Sequence, residues 1–388
     1  MIRESIRIRN VGALKDTLLL ELKPMTVLIG ASACGKSTLM KIIAMMRYIY
    51  KRVNIKAYLK NSNIDGAIFY IRFQDILKDG LRNLISEKSE IVYTVEVNGH
   101  QYEVKYAVGK LSTPSMIPNE DLIFLKDSWV SEMRSVIPVW ASRGALVKGS
   151  SFGFYFDETF GDFDEATNVV KTIDLDYLNM RLDVVKGGNN QKKYMVSPLD
   201  DSYPPFELKF ASSGTQTTAP LITLMKYFAT GFSFKDAMRR SIIMMLFEKD
   251  LTEKYHPTIE LGNLPKYVFM HAEEPELSLD PRSQRHLVNT ISRYTFHERI
   301  DDRVMNIVLA THSPYIINHL NVLIRASYSE KGRDLFPFIR PENIAAYKVV
   351  DGSLINLIAT DEDSGQCVIN TLDMSETMED IYNDYEAL

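Results

Sequence analysis

Near its N-terminus the chain alternates apolar and polar positions with a period of two. Ile6-Arg-Ile-Arg-Asn-Val11 reads as a half-buried strand and Leu18-Leu-Leu-Glu-Leu22 as a second. Met25-Thr-Val-Leu-Ile29 is apolar almost throughout, which predicts a strand buried on both faces. The spacing then lengthens to that of a helix over 37–59, which carries Lys41, Arg47, Lys51, Arg52 and Lys56. Ile91-Val-Tyr-Thr-Val-Glu-Val and His100-Gln-Tyr-Glu-Val-Lys-Tyr-Ala-Val flank Asn98-Gly99, a dipeptide suited to a two-residue hairpin turn. Helical spacing follows over 120–136, over 165–185 and, rich in Met, over 234–255, with Gly187-Gly-Asn-Asn190 as a loop. Tyr267-Val-Phe-Met270 and residues 304–309 are short buried strands. A second hairpin, 344–350 and 353–358, turns on Asp351-Gly352. The last ~25 residues are acidic and predict a short helix or tail.

At 388 residues the chain exceeds what one core usually fills, so one large domain with insertions, or two domains, is expected. Hydrophobic content of 45% with 24% charged residues excludes the disordered and fibrous classes. A net charge of −5 gives no global sign of nucleic-acid binding, although a local basic face stays open. The longest apolar stretch, Ser241-Ile-Ile-Met-Met-Leu-Phe247, is too short to cross a bilayer. The charged, alternating N-terminus is not a secretory signal. Cys34 and Cys367 cannot build a disulfide framework or a zinc site. A cytoplasmic protein with no membrane contact is expected.

The chemistry begins where the buried strand meets the first helix. Gly30, Ala31, Ser32, Ala33, Cys34, Gly35, Lys36, Ser37 and Thr38 fit G-x-x-x-x-G-K-[ST], the phosphate-binding P-loop. Glycine lets the backbone curl so that successive N–H groups face phosphate oxygens, and the helix start adds partial positive charge. Lys36 is placed to reach the β- and γ-phosphates of ATP and Ser37 to ligate Mg²⁺. Tyr267-Val-Phe-Met270 runs into Ala272-Glu-Glu-Pro-Glu276, an apolar strand delivering paired acids. Glu273 is assigned to the metal shell and Glu274 to the attacking water. An acidic surface turn is the alternative for the acids alone. The strand 306–310 delivers His312, whose imidazole suits a γ-phosphate or the attacking water. Phe210-Ala-Ser-Ser-Gly-Thr-Gln-Thr217 puts small hydroxyl residues and a Gly at a helix start, by itself no more than an N-cap.

The ordered set of P-loop, Ser-Ser-Gly-Thr-Gln, Glu-Glu-Pro-Glu, Leu-Ser-Leu-Asp and Thr-His-Ser-Pro resembles the ABC-type ATPases. Within them it is closest in pattern to the RecF-like and overcoming-lysogenisation-defect (OLD-like) group. Ile137-Pro-Val-Trp-Ala-Ser-Arg143-Gly144 is similar to that group's segment before its insertion, where Arg143 approaches nucleotide. The resemblance implies an α/β fold: a P-loop NTPase head with a mixed sheet, a β-hairpin lobe and a mostly helical insertion. It divides the chain into a first ATPase lobe (1–149), an insertion (150–205), a second lobe (206–350) and a closing strand with an acidic tail (351–388). It also implies that Ser213 and Gly214 contact ATP held by a second subunit, that Asp280 sits at the dimer seam and that His312 is the switch histidine. Three positions depart from the pattern: Ala33 stands where Gly is commoner, Thr215 replaces the second signature Gly, and Glu273 replaces Asp.

Many OLD-like proteins carry a TOPRIM nuclease domain, which needs roughly 100 residues. Too little chain follows His312 for one, and Asp361-Glu-Asp363 reads as a solvated acidic loop. The expectation is an ATPase without its own nuclease, a homodimer around two ATPs, acting on a separate effector in an anti-phage system. Two alternatives stand beside it: a RecF-like repair ATPase that binds DNA through the basic helix, and an ATP-bound scaffold with little turnover.

Overall fold

The computed structural model describes residues 2–64, 80–130, 154–187, 192–247, 253, 255, 259–300, 303–372 and 382–387. The chain opens with β1 (Arg3–Val11), β2 (Leu14–Asp16) and β3 (Leu20–Leu22), then β4 (Met25–Ile29) and α1 (Lys36–Asn61). The predicted hairpin is β5 (Ile85–Val97) and β6 (His100–Ala107), extended by β7 (Lys110–Ser112). These strands, without β4, form one antiparallel sheet in the order β2-β1-β5-β6-β7, with β3 on β1. Asn98 and Gly99 both take positive φ at the hairpin turn, as that turn type requires.

The middle of the chain holds β8 (Phe124–Val130), α2 (Phe154–Val169), β9 (Thr172–Leu175), β10 (Met180–Lys186), β11 (Lys192–Pro198) and β12 (Phe206–Glu207). Next come α3 (Ser213–Lys226), α4 (Phe234–Phe247), β13 (Lys266–Glu273), α5 (Pro281–Ser292) and β14 (Arg303–Thr311). The chain finishes with α6 (Pro314–Ala326), α7 (Glu330–Leu335), β15 (Ile344–Val350), β16 (Ser353–Asn356), β17 (Ile358–Thr360) and β18 (Cys367–Ile369).

The central sheet has the order β16-β15-β4-β14-β13-β8. Every pairing from β15 through β8 is parallel, and β16 closes the edge antiparallel. The carboxyl ends of five strands therefore share one edge, the usual place for a ligand in an open α/β sheet. The fold class read from the sequence holds in its main lines: α/β, with a mixed central sheet and a β-hairpin lobe.

α1 lies between the two sheets, so it is buried nearly all round. Its basic residues are not one solvated face. Arg47 is 1% exposed and bonds both oxygens of Glu4 from β1 at 3.0 and 2.9 Å. Its guanidinium also meets His271 Nε2 of β13 at 3.2 Å and lies 4.1 Å from the Phe269 ring centre. Tyr93 of β5 donates to the same Glu4. One buried cluster thus joins β1, β5, α1 and β13. Lys51 is likewise turned to Asp127 of β8 at 2.8 Å.

Three expectations are corrected. The helix expected over 120–136 is a short turn followed by β8, and 131–136 lie outside the described residues. Lys126 and Asp127 sit in a strand buried on two sides, paired with Asp162 and Lys51 at 2.8 Å each. The helix expected over 165–185 ends at Val169, and Thr172–Leu175 begins an alternating strand pair that turns at Asn179, φ 53°. Among the described residues, the segment expected as a mostly helical insertion is therefore one α-helix followed by strands of an antiparallel sheet in the order β12-β11-β10-β9. α4 is described only to Phe247, and most of its expected continuation to 255, like residues 188–190 of the Gly-Gly loop, lies outside the described residues.

Candidate active site

Three loops leave the shared edge of the parallel sheet and meet in one cavity of about 550 Å³. The first is the P-loop after β4. Gly30 and Gly35 take φ of 150° and 110°, and a Cβ on Gly30 would lie 2.7 Å from the Val349 carbonyl oxygen. That approach leaves room only for glycine. Ala33 takes φ 62° in the same loop, a left-handed conformation that disfavours a side chain. Gly35 opens α1, so the loop backbone and the helix start face the cavity together. Lys36 Nζ donates to the carbonyls of Gly30 and Ala31 at 2.9 and 2.8 Å. Ser32, Ala33, Gly35, Lys36, Ser37 and Thr38 line the cavity.

The second loop follows β13. Glu273 ends the strand, and its buried Oε1 has no hydrogen-bond partner among the described residues. Glu274 takes φ 43° and is held there by its N–H on the Ala310 carbonyl at 2.8 Å. Such a conformation in a non-glycine residue carries strain and is commonest at functional sites. The third loop follows β14 and carries His312, whose Nε2 lies 3.6 Å from Glu274 Oε1. Both side chains are partly exposed to the cavity.

A hard cation fits this arrangement. Glu273 and Ser37 both line the cavity and carry oxygen donors. Mg²⁺ keeps several waters and needs only one or two protein oxygens beside substrate phosphates. Among the described residues no cluster of three His, Cys, Asp or Glu could hold a metal, and such a cluster is not needed here.

Ser213, Gly214 and Asp280 are not among the residues that line the cavity. Ser213 is exposed at the start of α3, where Ser212 caps the helix by accepting from the Thr215 N–H. Gly214 is buried, and a Cβ there would lie 2.9 Å from the Ser278 carbonyl oxygen. Its smallness therefore serves the packing of α3 on the loop 277–279. Asp280 caps α5 through the N–H groups of Arg282 and Ser283. Arg143 lies outside the described residues.

Sequence reasoning missed several cavity residues, among them Ala13, Leu84, Thr217 and Leu221. Ala13, in the turn between β1 and β2, and Leu84, just before β5, give an apolar wall. Thr217 and Leu221 of α3 reach the cavity of their own chain. The spacing of four between them was the available signal. It also missed Glu276, which is 9% exposed and accepts from Thr311 Oγ1 at 2.6 Å and from the His312 N–H at 3.1 Å. Burial pushes the Glu276 carboxyl above its usual range, opposed by the bond from Thr311.

No protein-family model matches the chain, and no curated protein matches it. Among solved structures it is similar to an SMC head domain from Thermotoga maritima, at 11% identity over 92% of this chain and 98% of that one, TM-score 0.38. An SMC head bound to the C-terminal winged-helix domain of ScpA aligns at 10% identity over 92% and 97%, TM-score 0.42. The recombination mediator RecF, with ATPrS, aligns at 11% identity over 92% and 98%, TM-score 0.38. At such distances the site's own geometry carries its reading.

Proposed function

We propose that this chain is an ABC-type ATPase that binds Mg·ATP in the three-loop cavity and hydrolyses it. The observation that carries this is convergence: Lys36, Ser37, Glu273, Glu274 and His312 all line one cavity, with Glu274 and His312 3.6 Å apart. Bound there, Mg²⁺ supplies charge neutralisation at the β- and γ-phosphates, with Ser37 and Glu273 as its protein oxygens. Lys36 leaves its two loop carbonyls for phosphate oxygens. Glu274 orients the attacking water and takes its proton, and His312 contacts the γ-phosphate. Ala13 and Leu84 offer an apolar wall to the base.

The same reading includes a homodimer around two ATPs. Ser213, Ser278 and Asp280 are exposed and do not line the chain's own cavity, and the close approach of Gly214 to Ser278 brings the start of α3 against the loop that precedes Asp280. It extends to control of a separate effector in anti-phage defence, supported by the OLD-like order of motifs alone. The DNA-binding alternative loses support, because Arg47 and Lys51 of the basic helix are engaged inward. No described helix is long and apolar enough to cross a membrane.

Calorimetry of ATP binding tests the assignment. Lys36→Ala removes a charge-assisted contact worth about 1.5–3 kcal/mol, so ATP affinity falls roughly tenfold or more. Removing Mg²⁺ weakens wild-type binding as well. Equal affinity in wild type and Lys36→Ala would sink the site.

A further inference from the structure

We infer that Glu276 is the positioning residue for the switch histidine, holding the peptide that carries His312 while staying out of the cavity itself. This role in catalysis rests on the ATPase reading above. The geometry does not. One oxygen, Oε1, accepts from both Thr311 Oγ1 at 2.6 Å and the His312 backbone N–H at 3.1 Å. Bonds to a carboxylate are stronger than neutral ones, so this fixes the orientation of the 311–312 peptide. That orientation sets where the imidazole points.

A second tie closes the same turn from its other end. The Thr311 hydroxyl accepts from the Ser313 N–H at 3.0 Å, and Ser313 Oγ donates to Gln284 Oε1. Gln284 Nε2 donates to the Leu279 carbonyl at 2.8 Å. The loop after β13 is thus stapled to the loop after β14 at both Glu276 and Leu279. Glu274, which faces His312 at 3.6 Å, lies on that stapled loop. These ties hold the two groups at that separation.

The choice of residue supports a role beyond packing. Glu276 Oε2 is buried with no hydrogen-bond partner among the described residues. An unsatisfied buried oxygen is costly, and a site kept for structure alone is better served by a group it can satisfy.

The test compares Glu276→Ala with Glu276→Gln in the intact chain. Three quantities are read: Mg·ATP affinity, single-turnover hydrolysis, and the His312 ring resonance in ¹³C-histidine-labelled, ligand-free protein, assigned by its loss in His312→Gln. Glu276→Ala is expected to keep ATP affinity near wild type, slow turnover about 10²-fold as a roughly 1 Å misplacement does, and shift or broaden the His312 resonance. Glu276→Gln keeps one acceptor oxygen and restores both readouts. Wild-type turnover in Glu276→Ala, or Glu276→Gln as slow as Glu276→Ala, overturns the inference. If Glu276→Ala does not fold, Thr311→Val decides: slowed turnover at kept affinity supports the role, and unchanged turnover overturns it. Should wild type itself not hydrolyse ATP, the functional reading falls, while the His312 resonance still decides whether Glu276 positions the ring.

Discussion

Ala33 is a residue under strain in an otherwise glycine-shaped loop. Its φ of 62° is one an L-residue adopts at a cost of roughly 1–2 kcal/mol. Ala33→Gly relieves that cost and loses about half of it again to the freer unfolded chain. The variant is therefore expected to melt at or slightly above the wild-type temperature. A clear drop in melting temperature would mean that the alanine methyl makes a contact that outweighs the backbone term. Glu273, Glu274 and His312 could be picked from the sequence because each follows or ends an apolar run, where a parallel strand stops, and Lys36 and Ser37 because the P-loop spacing sets them at the start of α1. Glu276 was not. Its partners lie 35 and 36 positions away, and the contact exists only because β13 and β14 pair with Glu273 opposite Ala310.

Elements were legible where the pattern was carried by apolar residues and misread where charges were buried. The Asn98-Gly99 and Asp351-Gly352 hairpins form as expected, since turn chemistry is local. β8 was misread because Lys126 and Asp127 have partners on α1 and α2 that no local pattern shows. The cluster between the sheets behaves in the same way. His271 is fully buried, with Arg47 on Nε2 and the Ser128 carbonyl 3.1 Å from Nδ1, so the proton sits on Nδ1 and the ring is neutral. Burial, aided by the Arg47 charge, pushes its pKa down to about 3. The unfolded chain keeps a histidine near ~6.5. Between these values the unfolded state binds more protons, so this contribution is complete above pH ~6.5 and is lost as pH falls toward 3. Melting temperature is expected to fall from pH 7 to pH 5, with a shallower slope in His271→Gln. Equal slopes would show that the ring is not the titrating group. Removing Arg47 as Arg47→Ala leaves Glu4 buried and unpaired, with an expected loss of about 3–5 kcal/mol in urea unfolding. A loss below 1 kcal/mol would mean that water reaches Glu4.

For the whole molecule, the reading is a head whose exposed helix start completes the site of a second copy. Lys36→Ala and Ser213→Arg each inactivate a homodimer of that kind. In the heterodimer one site carries both lesions and the other carries none, so mixing the two inactive proteins restores activity. Full activity in Ser213→Arg alone would place α3 in the service of its own chain, where Thr217 and Leu221 already reach the cavity. The claim beneath all of this is that the cavity hydrolyses ATP with Glu274 as the group that activates water. Single-turnover hydrolysis of radiolabelled ATP by wild type and Glu274→Gln, with ATP affinity measured on the same preparations, tests it most directly. Loss of a general base typically slows the chemical step by about 10²–10⁴-fold. The account predicts a loss in that range in Glu274→Gln with ATP affinity kept. Hydrolysis at the wild-type rate in Glu274→Gln would contradict it.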